Sequence, residues 1–186
     1  MRAENTANIG KSGVTWCSDM PIIHDFHTDL EYSVNLCDDE RLDNFYKQAF
    51  PLAVKVEFCS DLSEQLRGID KIIYFQNGNS ITVDEKKRRK DYGDILLELW
   101  KNKKHRKPGW LFYSQCDYIV YAVLEANKIY LLPTVLLQMA WKANREQWLS
   151  RYMKKEALND GYITVNIAIP TEILLNAVLK EMTKKL

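Results

Sequence analysis

The feature that most constrains this fold is an Asn-Gly pair at positions 77 and 78, set between two strand-like segments. Residues 69–75 are rich in β-branched and aromatic side chains, and residues 80–86 alternate apolar with polar ones. Asn-Gly is typical of a type I′ turn, because both central residues of that turn need a positive φ. The pattern therefore predicts a β-hairpin over residues 69–86.

Polar side chains near the open end of this hairpin are predicted to lie close together. Side chains alternate between the faces of a strand, so Asp84 and Lys86 project to one face and Glu85 to the other. A turn centred on the Asn-Gly pair joins residues whose numbers sum to about 155, which places Asp70 within a residue of Asp84. We expect two carboxylates and one ammonium to converge at one end of the sheet.

This set of charges indicates a metal-dependent reaction on a phosphate. Two adjacent carboxylates repel each other, and a divalent cation relieves that repulsion best. Mg²⁺ prefers carboxylate oxygens and keeps several of its waters. Such a metal acidifies a bound water and neutralises phosphate charge, while a nearby lysine orients the water or stabilises the developing charge. The pattern therefore indicates metal-assisted phosphodiester hydrolysis.

These residues resemble the signature of a known nuclease superfamily. Residues 68–70 (Gly-Ile-Asp) and residues 83–86 (Val-Asp-Glu-Lys) resemble the PD-(D/E)XK motif, in which an Asp on one strand precedes an acid-x-Lys at the end of the next. The clear match covers about residues 61–100, with Ile69 where the motif has proline. The resemblance implies an α/β fold with a restriction-endonuclease-like core, that is, a central mixed β-sheet flanked by helices. It also implies a DNA substrate and a Mg²⁺ cofactor, for which Mn²⁺ can substitute.

Carried over by position, the resemblance assigns a role to each motif residue. Asp70 and Asp84 become metal ligands and Lys86 the catalytic lysine, and the backbone carbonyl of Glu85 becomes a further metal ligand. Members of the superfamily often add an acid from a preceding helix. Glu64 is the first candidate for it.

Other polar residues are open alternatives for the site. The helper group has three weaker candidates, Glu57, Glu40 and Gln65. A later acidic set either contributes to the site or balances neighbouring basic residues; it comprises Asp91, Asp94 and Glu98.

Two basic stretches follow the motif and are candidates for contact with the DNA backbone. A solvated charged surface is the ordinary interpretation of such runs, but cations beside a metal site also attract phosphates. The predicted nucleic-acid-binding residues are Lys87, Arg88, Arg89, Lys90, Lys103, Lys104 and Arg106. Trp110, Phe112 and Tyr113 come next, and they serve either core packing, which we favour, or stacking on unpaired bases.

Length, net charge and cysteine content limit the class of protein and its domain organisation. The chain has 186 residues and a formal net charge of +1, which is typical of a globular protein and excludes a generally basic nucleic-acid coat. We expect residues 1–20 to be a flexible N-terminal arm and residues 21–186 to be one domain. The four cysteines form no CxxC pair, so reduced thiols and a cytoplasmic location are expected, without a membrane segment. His24 and His27 favour a polar surface turn over a zinc site.

The remaining periodicities predict an alternation of helices and strands, which indicates an α/β or α+β fold. The predicted helices are residues 41–50, a turn at 61–67, 134–153 and 171–184, and the predicted strands outside the hairpin are residues 53–58, 95–100, 117–125, 128–132 and 165–169. The last helix is also the candidate interface of a homodimer, which the sequence leaves open.

Two other functions fit the same sequence. One is a nucleic-acid-binding protein that uses the nuclease fold without cutting, because function resides in the site and not in the fold. The other is a protein-interaction factor, for example of a phage or mobile element, whose sign would be a large exposed apolar patch.

Overall fold

The computed structural model describes residues 40–183, so the predicted arm and the His24–His27 pair lie outside the described residues. Fifteen elements follow one another in this part of the chain: α1 (Glu40–Ala49), β1 (Ala53–Phe58), α2 (Leu62–Gln65), β2 (Lys71–Phe75), β3 (Ser80–Arg88), β4 (Asp94–Asn102), β5 (Lys107–Pro108), α3 (Trp110–Tyr113), β6 (Tyr118–Val123), a 3₁₀ turn (Leu124–Ala126), β7 (Lys128–Pro133), α4 (Thr134–Arg151), β8 (Lys154–Asn159), β9 (Tyr162–Pro170) and α5 (Thr171–Met182).

The predicted hairpin is confirmed, but its turn is not type I′. Gly78 has a φ of +82°, whereas Asn77 does not have a positive φ. The Gly78 amide donates to the Phe75 carbonyl at 3.0 Å, and the Phe75 amide donates to the Asn79 carbonyl at 2.9 Å. The loop has three residues, 76–78, and the four-residue turn that starts at Phe75 ends at the left-handed Gly78. The longer loop shifts the register by one residue, so Lys71 pairs with Val83.

Strands β1, β2, β3, β6 and β7 form a five-stranded sheet in that order. β3 and β6 are parallel, and the other neighbours are antiparallel. A parallel pair needs a long crossover, which residues between β3 and β6 supply. The sheet is mixed and is flanked by helices, as predicted for an α/β fold.

A second, antiparallel sheet has the order β5, β4, β9 and β8. Its β8–β9 hairpin is only half predicted, because the sequence pattern indicates residues 165–169 and misses β8 altogether. β8 is an edge strand in which exposed residues alternate with half-buried ones. Such a strand carries little of the apolar periodicity that makes strands recognisable.

Two cores lie on opposite faces of the five-stranded sheet. On one face, α1 packs Leu42 and Tyr46 against Ile73, Val83 and Val120. The opposite face of the sheet packs against a larger core, to which β4, β9, α4 and α5 also contribute side chains. Trp141 and Trp148 of α4 belong to this larger core. Of the helices in residues 40–183, none has the length and apolar character that crossing a membrane requires.

Candidate active site

The β2–β3 hairpin brings Asp70 and Asp84 to the same face of the sheet. Continuing the observed register by one residue places Asp70 opposite Asp84. The Asp70 amide donates to the Val83 carbonyl at 2.8 Å, and the Glu85 amide donates to Asp70 Oδ2 at 2.8 Å. The Asp70 side chain is therefore anchored on the backbone of β3, beside Asp84.

Asp84 is a buried carboxylate with a partner for each oxygen. Its exposure is 1%. Lys86 Nζ donates to Asp84 Oδ1, and Ser114 Oγ donates to Oδ2 at 2.9 Å. Burial raises the pKa of Asp84, the Lys86 ammonium lowers it and the neighbouring Asp70 raises it again, so that the pKa is about 6. The charge of Lys86 therefore lowers the pKa of Asp84 by less than burial and the Asp70 carboxylate together raise it.

Lys86 is held by Asp84 and remains partly exposed along its side chain. Its side chain is 26% exposed, and Nζ lies 5.8 Å from the centre of the Trp110 ring. Burial lowers the pKa of Lys86, but the charges of Asp84 and Asp70 raise it by more, so the net shift is upward. Lys86 is consequently protonated and can donate hydrogen bonds to a bound anion.

The one-turn helix α3 and the residue after it complete the site. Ser114, which follows α3, is buried and holds Asp84. Tyr113 is close enough to Lys86 for that ammonium to lower its pKa, although burial raises it and the net shift is upward. Sequence reasoning missed Ser114 entirely, because the spacing of 30 residues from Asp84 carries no local signal.

Glu98 on β4 also reaches this region. Its Oε2 accepts a hydrogen bond from the Trp110 amide at 2.8 Å. Burial raises the pKa of Glu98, while that amide and the charges of Lys86 and Lys101 lower it, and the net shift is upward. Of the later acidic set, Glu98 therefore borders the site, whereas Asp94 pairs with Arg88 and Asp91 pairs with Lys128.

Two glycines permit the close approach of these elements. Gly68 has a φ of +75°, and a Cβ there would lie 2.6 Å from Ser114 Oγ. A Cβ on Gly109 would lie 2.2 Å from the Glu98 carbonyl oxygen. Any larger residue at either position would push α3 and Ser114 away from the carboxylates.

Glu64, the predicted helper acid, is engaged elsewhere. Arg67 Nη1 donates to both of its carboxylate oxygens, at 2.8 and 3.0 Å. The weaker candidates have other surroundings as well: Glu57 pairs with Lys55, Glu40 is exposed at the start of α1, and Gln65 donates to the Cys59 carbonyl. The catalytic role of Glu64 stays a prediction, without a contact to Asp70 or Asp84 among the interactions of the described residues.

Glu85 points to the opposite face, as strand alternation predicts. Its carboxylate pairs with Lys71 at 3.2 Å and Lys87 at 3.0 Å, and it accepts a hydrogen bond from the Tyr46 hydroxyl at 2.7 Å. Burial raises the pKa of Glu85, but the two lysines and Tyr46 lower it by more, so the net shift is downward. The predicted metal ligand at this residue is its backbone carbonyl, and that role stays a prediction.

The first basic stretch, residues 87–90, is partly buried because β3 extends to Arg88. Lys87 and Arg88 are 8% and 13% exposed and pair with Glu85 and Asp94. Arg89 is half-buried and Lys90 is exposed. The structure therefore does not present Lys87 and Arg88 as an outward DNA-contacting surface.

The second basic stretch lies at the surface and begins at the site. Lys101 Nζ lies 5.9 Å from the centre of the Tyr113 ring. Lys104 and Arg106 are exposed, and Lys103 pairs with Glu156 at 2.5 Å. Of the predicted nucleic-acid contacts, Lys103, Lys104 and Arg106 thus face solvent, as Lys90 does.

The donor set fits a hard divalent cation that keeps most of its waters. Within residues 40–183, no three His, Cys, Asp or Glu side chains converge as a metal-binding group. A cation here would therefore have Asp70 and Asp84 as its carboxylates. Burial is the main reason that the pKa of Asp84 is raised, and the neighbouring Asp70 carboxylate adds to it, so a cation bound between the two would favour the charged form of Asp84. Mg²⁺ needs only one or two carboxylates beside water and phosphate oxygens.

Comparison with known proteins identifies no relative of this chain. No family model matches the chain, and neither a curated protein nor a solved structure matches it. Any assignment of function therefore depends on the arrangement of the residues themselves.

Proposed function

We propose that this protein is a Mg²⁺-dependent nuclease that hydrolyses phosphodiester bonds of DNA and has a restriction-endonuclease-like core. One observation carries the proposal: buried Asp84 lies beside Asp70, and among the interactions of residues 40–183 one ammonium, that of Lys86, acts on both carboxylates. Two carboxylates with one cation have a net charge of −1, and burial makes that excess costly unless a further cation binds.

Three groups would hold the metal: the carboxylates of Asp70 and Asp84 and the backbone carbonyl of Glu85. When bound, the metal would acidify a water and neutralise charge on the phosphate. Ser114 keeps the Asp84 carboxylate in one orientation through its hydrogen bond. Such outer partners restrict the rotation of a ligand and so support metal affinity.

Lys86 would act on the substrate. Because it is protonated and partly exposed, its Nζ can donate hydrogen bonds to the attacking water or to a phosphate oxygen. In a site with little water, a positioned ammonium stabilises negative charge as it develops on phosphorus-bound oxygens. Trp110 covers one side of this ammonium and restricts the directions in which it can donate.

The surroundings agree with a nucleic-acid substrate. Lys101 borders the site, and Lys104 and Arg106 are exposed on the following segment. Cations near a reaction centre attract a phosphate backbone and make affinity depend on salt. The mixed sheet flanked by helices is the coarse arrangement that the nuclease resemblance implies.

A cleavage assay tests the proposal. Wild-type protein is incubated with plasmid and with single-stranded oligonucleotides in Mg²⁺, Mn²⁺ or EDTA, beside Asp84→Asn and the matched control Asp160→Asn, which changes an exposed acid between β8 and β9. We expect cleavage by the wild type and the control in either metal, and none in EDTA or with Asp84→Asn. Cleavage by Asp84→Asn at the wild-type rate would overturn the proposal. DNA binding without any cleavage would favour the non-cleaving alternative.

A homodimer is part of the same proposal. The outer face of α5 exposes Ile173, Leu179 and Met182, which are apolar side chains available to a second copy. Sedimentation equilibrium measures the oligomeric state directly, and a monomer at all concentrations would exclude the dimer.

A further inference from the structure

A groove of about 440 Å³ lies next to the candidate active site and takes no part in the chemistry described above. It is bounded by α3, α4 and strands of the second sheet. Helix α3 separates the groove from the site: Trp110 lies beside Lys86, and Tyr113 beside Lys101, whereas Phe112 lines the groove.

The groove presents aromatic rings to solvent. Phe112 is 47% exposed and Trp100 is 38% exposed. The Phe112 ring meets buried Trp141 edge-on, with 6.1 Å between ring centres. Phe112 is therefore held in place while much of its surface remains uncovered. Large rings that are both positioned and exposed form a stacking platform for a flat ligand.

The charges at the groove favour an anionic ligand. Arg145 and Lys154 line it, and both are exposed. None of the described residues that line the groove is acidic. A ligand with a flat apolar face and a negative backbone matches this combination, and a nucleotide has both.

The position of the groove selects unpaired nucleotides. A base can stack on Phe112 or Trp100 only if its face is free, which a paired and stacked duplex does not allow. An α-helix is about 10 Å wide with its side chains, so an unpaired strand needs only a few nucleotides to cross α3 from the groove to the site. One strand could thus occupy both places.

We propose that this groove binds an unpaired base of a single-stranded nucleic acid, a few nucleotides from the phosphate at Lys86. The inference rests on the proposed function for the direction of the strand toward Asp84. It makes single strands, flaps and frayed ends the preferred substrates of the site.

Binding in EDTA tests the groove without cleavage. Fluorescence anisotropy measures the affinity of labelled (dT)12 and of a 12-base-pair duplex for wild type, Phe112→Ala and Phe112→Trp. The matched control is Phe58→Ala, because Phe58 is an exposed phenylalanine on β1, outside the groove. We expect Phe112→Ala to weaken (dT)12 binding about tenfold and to leave duplex binding unchanged, while Phe112→Trp retains the affinity. Phe58→Ala should change neither.

A charge variant gives a second readout. Arg145→Gln should reduce the slope of (dT)12 affinity against salt by about one phosphate contact, whereas Lys142→Gln, one turn earlier on α4, should not. Equal weakening of single strand and duplex by Phe112→Ala, or no binding of (dT)12 at all, would overturn the inference.

The outcomes separate this inference from the proposed function. If cleavage depends on metal but Phe112→Ala has no effect on (dT)12 binding, the nuclease proposal is supported and the groove is excluded as a binding site for an unpaired base. Phe112-dependent binding of (dT)12 without cleavage in any metal would do the opposite.

Discussion

The two faces of strand β3 carry two charged clusters with opposite net charges, +1 around Glu85 and −1 around Asp84. On the α1 face, Glu85 has two lysine partners, Lys71 and Lys87, and its pKa is lowered despite burial. On the other face, Asp84 and Asp70 share Lys86, and the pKa of Asp84 is raised to about 6. Burial raises the pKa of both carboxylates, and the neighbouring charges decide the net direction: two lysines lower it for Glu85, whereas one lysine and a second carboxylate leave it raised for Asp84.

This difference gives each cluster its own expected behaviour. A carboxylate whose pKa is lowered stabilises the fold at neutral pH, and that stability is lost as pH falls through its folded pKa. A carboxylate whose pKa is raised opposes folding at neutral pH, and the cost disappears below its ordinary pKa. The first cluster should therefore hold the sheet to α1, and the second should bind a cation or a substrate. The following predictions test whether the Glu85 cluster serves stability and the Asp84 cluster serves cleavage.

The largest effect is expected from Lys86→Met. Removal of the ammonium should lower the turnover rate of DNA cleavage about 10³-fold, because a positioned charge of this kind stabilises the transition state by several kcal/mol. Single-turnover cleavage of a labelled oligonucleotide in Mg²⁺ measures it. Lys142→Met, an exposed lysine on α4, is the matched control and should keep the wild-type rate. A Lys86→Met protein with full activity would remove Lys86 from the mechanism.

Lys71→Met should affect stability and not catalysis. Its loss leaves buried Glu85 with Lys87 and Tyr46 only, and breaking a buried ion pair costs about 3 kcal/mol. Urea unfolding in EDTA measures the cost, and cleavage by the folded fraction should match the wild type. If activity fell while stability stayed the same, the two faces of β3 would not be functionally separate.

Ser114→Ala tests the outer partner of Asp84. Loss of the Ser114 hydroxyl leaves Oδ2 of Asp84 without its 2.9 Å hydrogen bond, and such a loss typically lowers metal affinity or activity at least about tenfold. A Mg²⁺ titration of the cleavage rate locates the effect. Ser150→Ala provides the comparison, because that hydroxyl bonds to the Gln147 carbonyl within α4. Identical Mg²⁺ dependence in both variants would contradict a positioning role for Ser114.

The smallest effect is a pH-dependent gain in stability with Glu98→Gln. The raised pKa of Glu98 means that its charged form opposes folding, and glutamine keeps an oxygen that accepts from the Trp110 amide. In EDTA, the variant should have a higher Tm than wild type at about pH 7.5, and the difference should close at about pH 4, where Glu98 is protonated. A gain that is the same at both pH values would show that charge is not its cause.

Local signals in the sequence predicted the hairpin well but not its register. Asn-Gly and the alternation on either side are enough to pair β2 with β3. With a two-residue turn, Asp70 would have been opposite Glu85 and on the wrong face for Asp84. The three-residue loop moves it by one position, and this shift is what makes the carboxylates converge.

The surroundings of the site were harder to predict. Ser114 and Glu98 arrive from positions 30 and 14 residues after Asp84, through β4, α3 and the β3–β6 pairing. The basic run after Lys86 looked exposed because charge composition does not reveal that β3 continues and buries Lys87 and Arg88. Glu64 was chosen by proximity in sequence, whereas its own side chain finds Arg67 three residues away.

The sequence by itself determined the hairpin, the alternation that separates Asp84 and Lys86 from Glu85, and the helices and strands with strong apolar periodicity. These depend on turn chemistry and on spacing within about twenty residues. The tertiary structure alone decided the division into two sheets, the partners of each charge and the groove beside α3. The reason is physical: the free energy of a buried charge depends on every group within a few ångströms, and those groups come from segments far apart in the chain.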